Sequence, residues 1–164
     1  MNVKGIIFDY GGTIDSRGVH WSEIIWQGYC KAGFDSRITK EQFRDAYVHG
    51  ERELARVRHI LPCDTFLDIL VKKVNIQRAY LAANGLAAPD QAQMSTITSH
   101  CYESARECIA EARPVLECLA ERYPMVLVSI EQRLYLFILT RISKEREQSR
   151  ICTMHGRKKT QQEL

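Results

Sequence analysis

The stretch Val3-Lys4-Gly5-Ile6-Ile7-Phe8-Asp9-Tyr10-Gly11-Gly12-Thr13-Ile14-Asp15 decides how the rest of this 164-residue chain is read. The apolar run from Ile6 to Phe8 has the character of a buried β-strand, and it ends abruptly in a carboxylate followed by two glycines. Open α/β sheets bind ligands outside the carboxyl ends of their strands, so Asp9 falls where chemistry is done. Gly11 and Gly12 allow the backbone to turn sharply and to approach a ligand closely. Thr13 adds a hydroxyl, and Asp15 a second carboxylate one short turn later. The same residues also describe a plainer object, a strand closed by a Gly-Gly turn with a satisfied Asp.

Downstream the pattern changes from strand to helix. Trp21, Ile24, Ile25 and Gly28 form one stripe of a helix over 20–31, with Gly33 as its stop. Thr39 followed by Gln42 fits a capping box for a second helix, with Phe43, Ala46, Tyr47 and Leu54 on its apolar side and Gly50 in its middle. Pro62 interrupts, and Asp64 suits the N-cap of a third helix. Leu67, Leu70, Val71 and Val74 follow at helical spacing as far as Leu81, and Asn84-Gly85 closes it. Pro89-Asp90 opens a fourth helix to about Ala112, with Met94, Ile97, Cys101, Cys108 and Ile109 inward. Pro114 starts a shorter helix with Val115, Leu116 and Leu119 inward, and Pro124 ends it. Met125-Val126-Leu127-Val128 then reads as a second buried strand, closed by Ser129.

Two parallel strands need one crossover helix between them. Here four helices precede the last, so an inserted helical domain is the economical explanation. The opening stretch resembles the first motif of the haloacid dehalogenase (HAD) superfamily, an apolar strand ending in Asp-x-Asp-Gly-Thr, matched here by Asp9, Gly12 and Thr13. The long helical insertion is similar to that family's C1 cap, and the likeness runs from Val3 to Ser129. It implies an α/β fold: an apparently incomplete Rossmann-like parallel-sheet core over residues 1–15 and 113–142, an α-helical cap over 16–112, and a flexible tail over 143–164.

The resemblance also implies chemistry. Asp9 would be a nucleophile forming a covalent aspartyl intermediate, since a carboxylate attacks phosphorus or carbon without first losing a proton. Gly11, Gly12, Thr13 and Ser129 would bind the phosphoryl group of a small phosphorylated metabolite. Asp9 and the Gly11 carbonyl would contribute oxygens to a magnesium ion. Gly11 stands where the family's phosphatases usually carry a second Asp, a general acid/base worth about 10²–10⁴-fold in rate. Its loss leaves carbon–halogen cleavage open beside phosphate-ester hydrolysis.

Past Ser129 the family's third and fourth motifs, a Lys and an acidic pair, find no counterpart in a suitable setting. Lys144, Lys158 and Lys159 lie in polar text, no Asp follows Asp90, and Glu131, Glu145, Glu147 and Glu163 follow no recognisable buried strand. A chain that stops following the family at about Ile130, by truncation, frameshift or divergence, is expected. The alternative to an active hydrolase is therefore a non-catalytic relative that binds a ligand or partner, or that does not fold stably alone.

Composition is that of a globular protein, 45% hydrophobic and 26% charged. The net charge of +3 sits in residues 131–164, with eight Lys or Arg against four Glu; residues 1–130 carry fifteen against sixteen acids. That weakens any case for nucleic acid as a partner of the folded body. No apolar segment approaches the roughly 18–20 residues of a membrane span, and Asp9 interrupts the early apolar run before a signal peptide can form, so a cytoplasmic protein is expected. Cys30, Cys63, Cys101, Cys108, Cys118 and Cys152 lack zinc spacing and read as small core residues. The five histidines show no metal spacing either. The cluster of Arg52, Arg56 and Arg58 with Glu51 and Glu53 reads as a solvated helix face.

Overall fold

The computed structural model describes residues 3–128; Ser129 and the expected tail lie outside the described residues. In chain order these residues form β1 (Ile6–Asp9), α1 (Trp21–Lys31), α2 (Lys40–Arg56), α3 (Phe66–Ala83), α4 (Gln91–Ala120) and β2 (Met125–Val128).

Local chemistry sets the helix ends. The His20 ring nitrogen Nδ1 accepts from Ser22 N–H at the start of α1. Capping boxes open the other three helices: Thr39 with Gln42, Thr65 with Asp68, and Asp90 with Gln93. Thr65, not Asp64, caps α3. Asp64 instead accepts from Leu61 N–H and from Lys72 Nζ, which hold its carboxyl below the ordinary range. α1 and α3 end in left-handed glycines, Gly33 at φ +68° and Gly85 at φ +69°. In each case the residue beyond the glycine donates back to the helix, Phe34 to Tyr29 O and Leu86 to Leu81 O, both at 2.9 Å.

The core lies among the helices. α1 packs on α4, α2 on α3, and α3 on α4. Ile25, Tyr29, Phe34, Ala46, Val74, Leu81, Ile97 and Cys101 are fully enclosed. Gly28 lets α1 approach α4 closely: a Cβ there would stand 3.1 Å from the Ile97 carbonyl oxygen. Lys73 and Gln77, polar residues of α3, also point inward. Lys73 Nζ pairs with Glu51 Oε1 at 2.9 Å, and the Tyr29 hydroxyl donates to Gln77 Oε1 at 3.2 Å. Glu51 thus turns toward the core, out of the solvated face expected for it.

The expected α/β fold with a Rossmann-like core is not what these residues build. The described residues are mainly helical, and among them the only sheet has two strands, β1 and β2, parallel and in register from Ile6↔Met125 to Asp9↔Val128. A doubly covered parallel sheet buries both faces of every strand. Here alternate residues are bare: Ile7 is 74% exposed and Val126 56%. The strands are therefore half-buried where sequence predicted full burial, because neither packs extensively on any helix. The expected break at Pro114 is also absent. α4 runs continuously through it, so the boundary expected between residues 112 and 113 falls inside a helix. Val115, expected inward, is 60% exposed, while Leu116 and Leu119 are half-buried.

Candidate active site at the tip of the first strand

β1 delivers Asp9 to its carboxyl end, and Tyr10 N–H donates to Val128 O at 3.1 Å, extending the pairing one residue past the strand. The side chain of Asp9 is exposed, on the same bare face as Ile7, and no salt link ties it down among the described residues. The chain then tightens into a turn. Thr13 and Ile14 N–H both donate to Tyr10 O, at 3.1 and 3.0 Å. Gly12 needs its lack of a side chain, since it takes φ +80°. Gly11 does not: its φ is not left-handed, and a Cβ there meets nothing within 4 Å.

The expected site residues are thus brought together in part. Asp9, Gly11 and Thr13 are exposed on one turn, and Gly12 is half-buried behind them. The Gly12 amide is engaged, donating to Asp15 Oδ1 at 2.7 Å. Ser129 lies outside the described residues.

Asp15 is the residue whose partner the sequence did not reveal. Only 2% exposed, it also accepts from Trp21 Nε1 through Oδ2 at 3.0 Å, which turns it away from Asp9's solvent face. Next to it Ser16 Oγ is enclosed and finds no hydrogen-bond partner among the described residues. Arg17 sits at φ +54° and grips Glu111 of α4 through Nε and Nη2, at 2.7 and 2.5 Å. This contact lowers the pKa of Glu111 and raises that of Arg17. Burial raises the thiol pKa of nearby Cys108, and Arg17 opposes that rise.

The donor set suits magnesium only in outline. Asp9 and the Gly11 carbonyl are two hard oxygens on one turn, compatible with an ion that keeps most of its waters and takes substrate oxygens. Asp15 is committed elsewhere, and among the described residues no group of three His, Cys, Asp or Glu is placed to hold a metal.

Elsewhere, an open groove of about 490 Å³ runs beside α4, lined by Lys31, Ser95, Ser99, His100, Glu103 and Glu107 among others. No residue of β1 or its turn lines it. Burial makes Cys101 an inert thiol, its pKa pushed up to about 12. Cys63 and Cys118, expected in the core, are exposed. No helix among the described residues is long and apolar enough to cross a membrane.

No protein-family model, curated protein or solved structure matches this chain.

Proposed function

We propose that this chain is a hydrolase of the HAD type that acts on a small phosphorylated metabolite through Asp9, with the cytosol as its compartment. One observation carries the reading. An exposed carboxylate stands at the carboxyl end of a parallel strand and is followed at once by the Gly11-Gly12-Thr13 turn. A free carboxylate there is ready to attack phosphorus and displace an alcohol, forming an aspartyl phosphate that water then cleaves. The Gly11 amide, the Thr13 hydroxyl and Ser129 are the proposed contacts to the phosphoryl oxygens. Magnesium, held by Asp9 and the Gly11 carbonyl, would supply charge neutralisation for an anionic substrate. With Gly11 in place of a carboxylate, the departing alkoxide takes its proton from solvent, and turnover is expected to be slow.

The test is hydrolysis of an aryl phosphate, with and without magnesium, by the full chain and two variants. Asp9→Asn is expected to abolish turnover. Gly11→Asp, which the open space at that position accommodates, is expected to raise it by about 10²-fold or more. Equal rates in all three proteins, or none in any, would favour the second reading, a non-catalytic relative that acts by binding. That reading is supported by the thin contact between sheet and helices and by the engagement of the Gly12 amide with Asp15.

A further inference from the structure

The geometry points to Asp15 as a positioning residue that fixes the Asp9 turn to the helical bundle; its catalytic consequence rests on the function proposed above. A carboxylate 2% exposed is costly to enclose unless its oxygens are satisfied. Here the two oxygens are used on different elements. Oδ1 takes the Gly12 amide of the turn at 2.7 Å, and Oδ2 takes the indole N–H of Trp21, the first residue of α1, at 3.0 Å. Trp21 is in turn fixed from the far side, its ring edge-to-face with Phe66 of α3 at 5.9 Å, and Phe66 lies 6.3 Å from the Tyr102 ring of α4. One side chain thus links the backbone behind Asp9 to three helices, in a molecule whose strands otherwise pack little on them.

The device also constrains substrate binding. A charge-assisted hydrogen bond of this kind is stronger than a neutral one, so the Gly12 amide is committed to Asp15. The turn presents the Gly11 amide and the Thr13 hydroxyl to a ligand while Gly12 is held from behind. Asp15 acts on the reaction through the shape of the turn and touches no reacting atom.

Two variants separate this role from general stability. Asp15→Ala removes both bonds. Trp21→Phe removes only the indole bond and keeps an aromatic ring against Phe66. Amide exchange followed residue by residue reads the clamp without requiring activity. In Asp15→Ala the Gly12 amide is expected to exchange about tenfold faster or more, while Val74 and Ile97 in the bundle keep their rates. Trp21→Phe should give a smaller acceleration at Gly12. With an active protein, Asp15→Ala should lower kcat by about tenfold with KM changed less than about twofold, the signature of a misplaced reacting group. Unchanged Gly12 exchange in both variants, or loss of protection at Gly12, Val74 and Ile97 together, would overturn the proposal. Absence of turnover in the unmodified protein would count against the hydrolase reading alone, because the exchange pattern still decides whether the clamp exists.

Discussion

His100 shows how much one enclosed atom can govern. It lies half-buried on α4, with Nε2 shut off from water and without a partner among the described residues. Burial lowers its pKa below 6.5, Lys31 of α1 pushes the same way, and Glu107 opposes them. The fold therefore favours the neutral ring, and just below 6.5 the unfolded chain binds more protons at this site than the folded one. Stability must then rise with pH: the contribution is complete above 6.5 and is lost as pH falls from 6.5 toward the lowered folded value. Glu53, Asp64, Asp68 and Glu111 have lowered pKa values and lose their stabilising contributions only at more acid pH, below about 4. Urea midpoints measured between pH 7.5 and pH 5 should fall for the native chain and fall less for His100→Gln. Parallel slopes for the two proteins would show that His100 does not titrate on unfolding. At this scale the sequence was legible where a role depends on near neighbours. Asp9 at a strand end and Thr39 with Gln42 are such cases. It was opaque where a polar side chain meets a partner far along the chain. Lys73 and Gln77 are buried through Glu51 and Tyr29, and Asp15 partly through Trp21, which an apolar periodicity cannot register.

Elements were legible to the extent that their signals are local. All four helices start near the expected residues, and α1 and α3 also stop there, because caps and left-handed glycines act within one turn. α4 is the exception. Pro114 has no N–H to give the Ala110 carbonyl, and its ring crowds that same turn, so a break was expected there. The helix nevertheless continues to Ala120. The two geometries respond oppositely to substitution. Were residue 114 the first of a new helix, proline would be favoured and Pro114→Ala would be neutral or destabilising. Inside a continuous helix the change restores a backbone bond and removes a clash, with a local gain of up to about 3 kcal/mol. Pro114→Ala is therefore expected to raise helical ellipticity and to slow amide exchange at Leu116 to Cys118. Faster exchange there would mean that the helix is broken after all. The strands failed differently. Short apolar runs look alike whether one face is covered or two, and only the packing around them decides.

At the scale of the whole molecule, burial is concentrated among the helices while the proposed chemistry sits on the sheet. Ile25, Val74 and Ile97, on α1, α3 and α4, are fully enclosed, and aromatic contacts such as Tyr29 with Phe43 at 5.0 Å tie α1 to α2. β1 and β2 are four residues each, and Ile7, Val126 and Val128 are bare. A two-stranded sheet of that size is marginal in water unless something packs on it. The molecule should therefore open in two steps, the sheet by local fluctuation and the bundle by global unfolding. Native-state hydrogen exchange tests this directly. Amides in the β1–β2 ladder should exchange about a hundredfold faster or more than those of Ile25, Val74 and Ile97. Their rates should depend only weakly on low urea, because little surface is exposed when the sheet opens. The bundle amides should share one steep dependence. Equal protection and equal slopes throughout would make sheet and bundle one cooperative unit. In the two-step case the Asp15–Trp21 link carries a heavier burden. With the Arg17–Glu111 pair, it is one of the contacts through which a stable bundle restrains the turn behind a weakly held strand, so breaking it should lower protection in β1 as well as at Gly12, while the helices remain as they were.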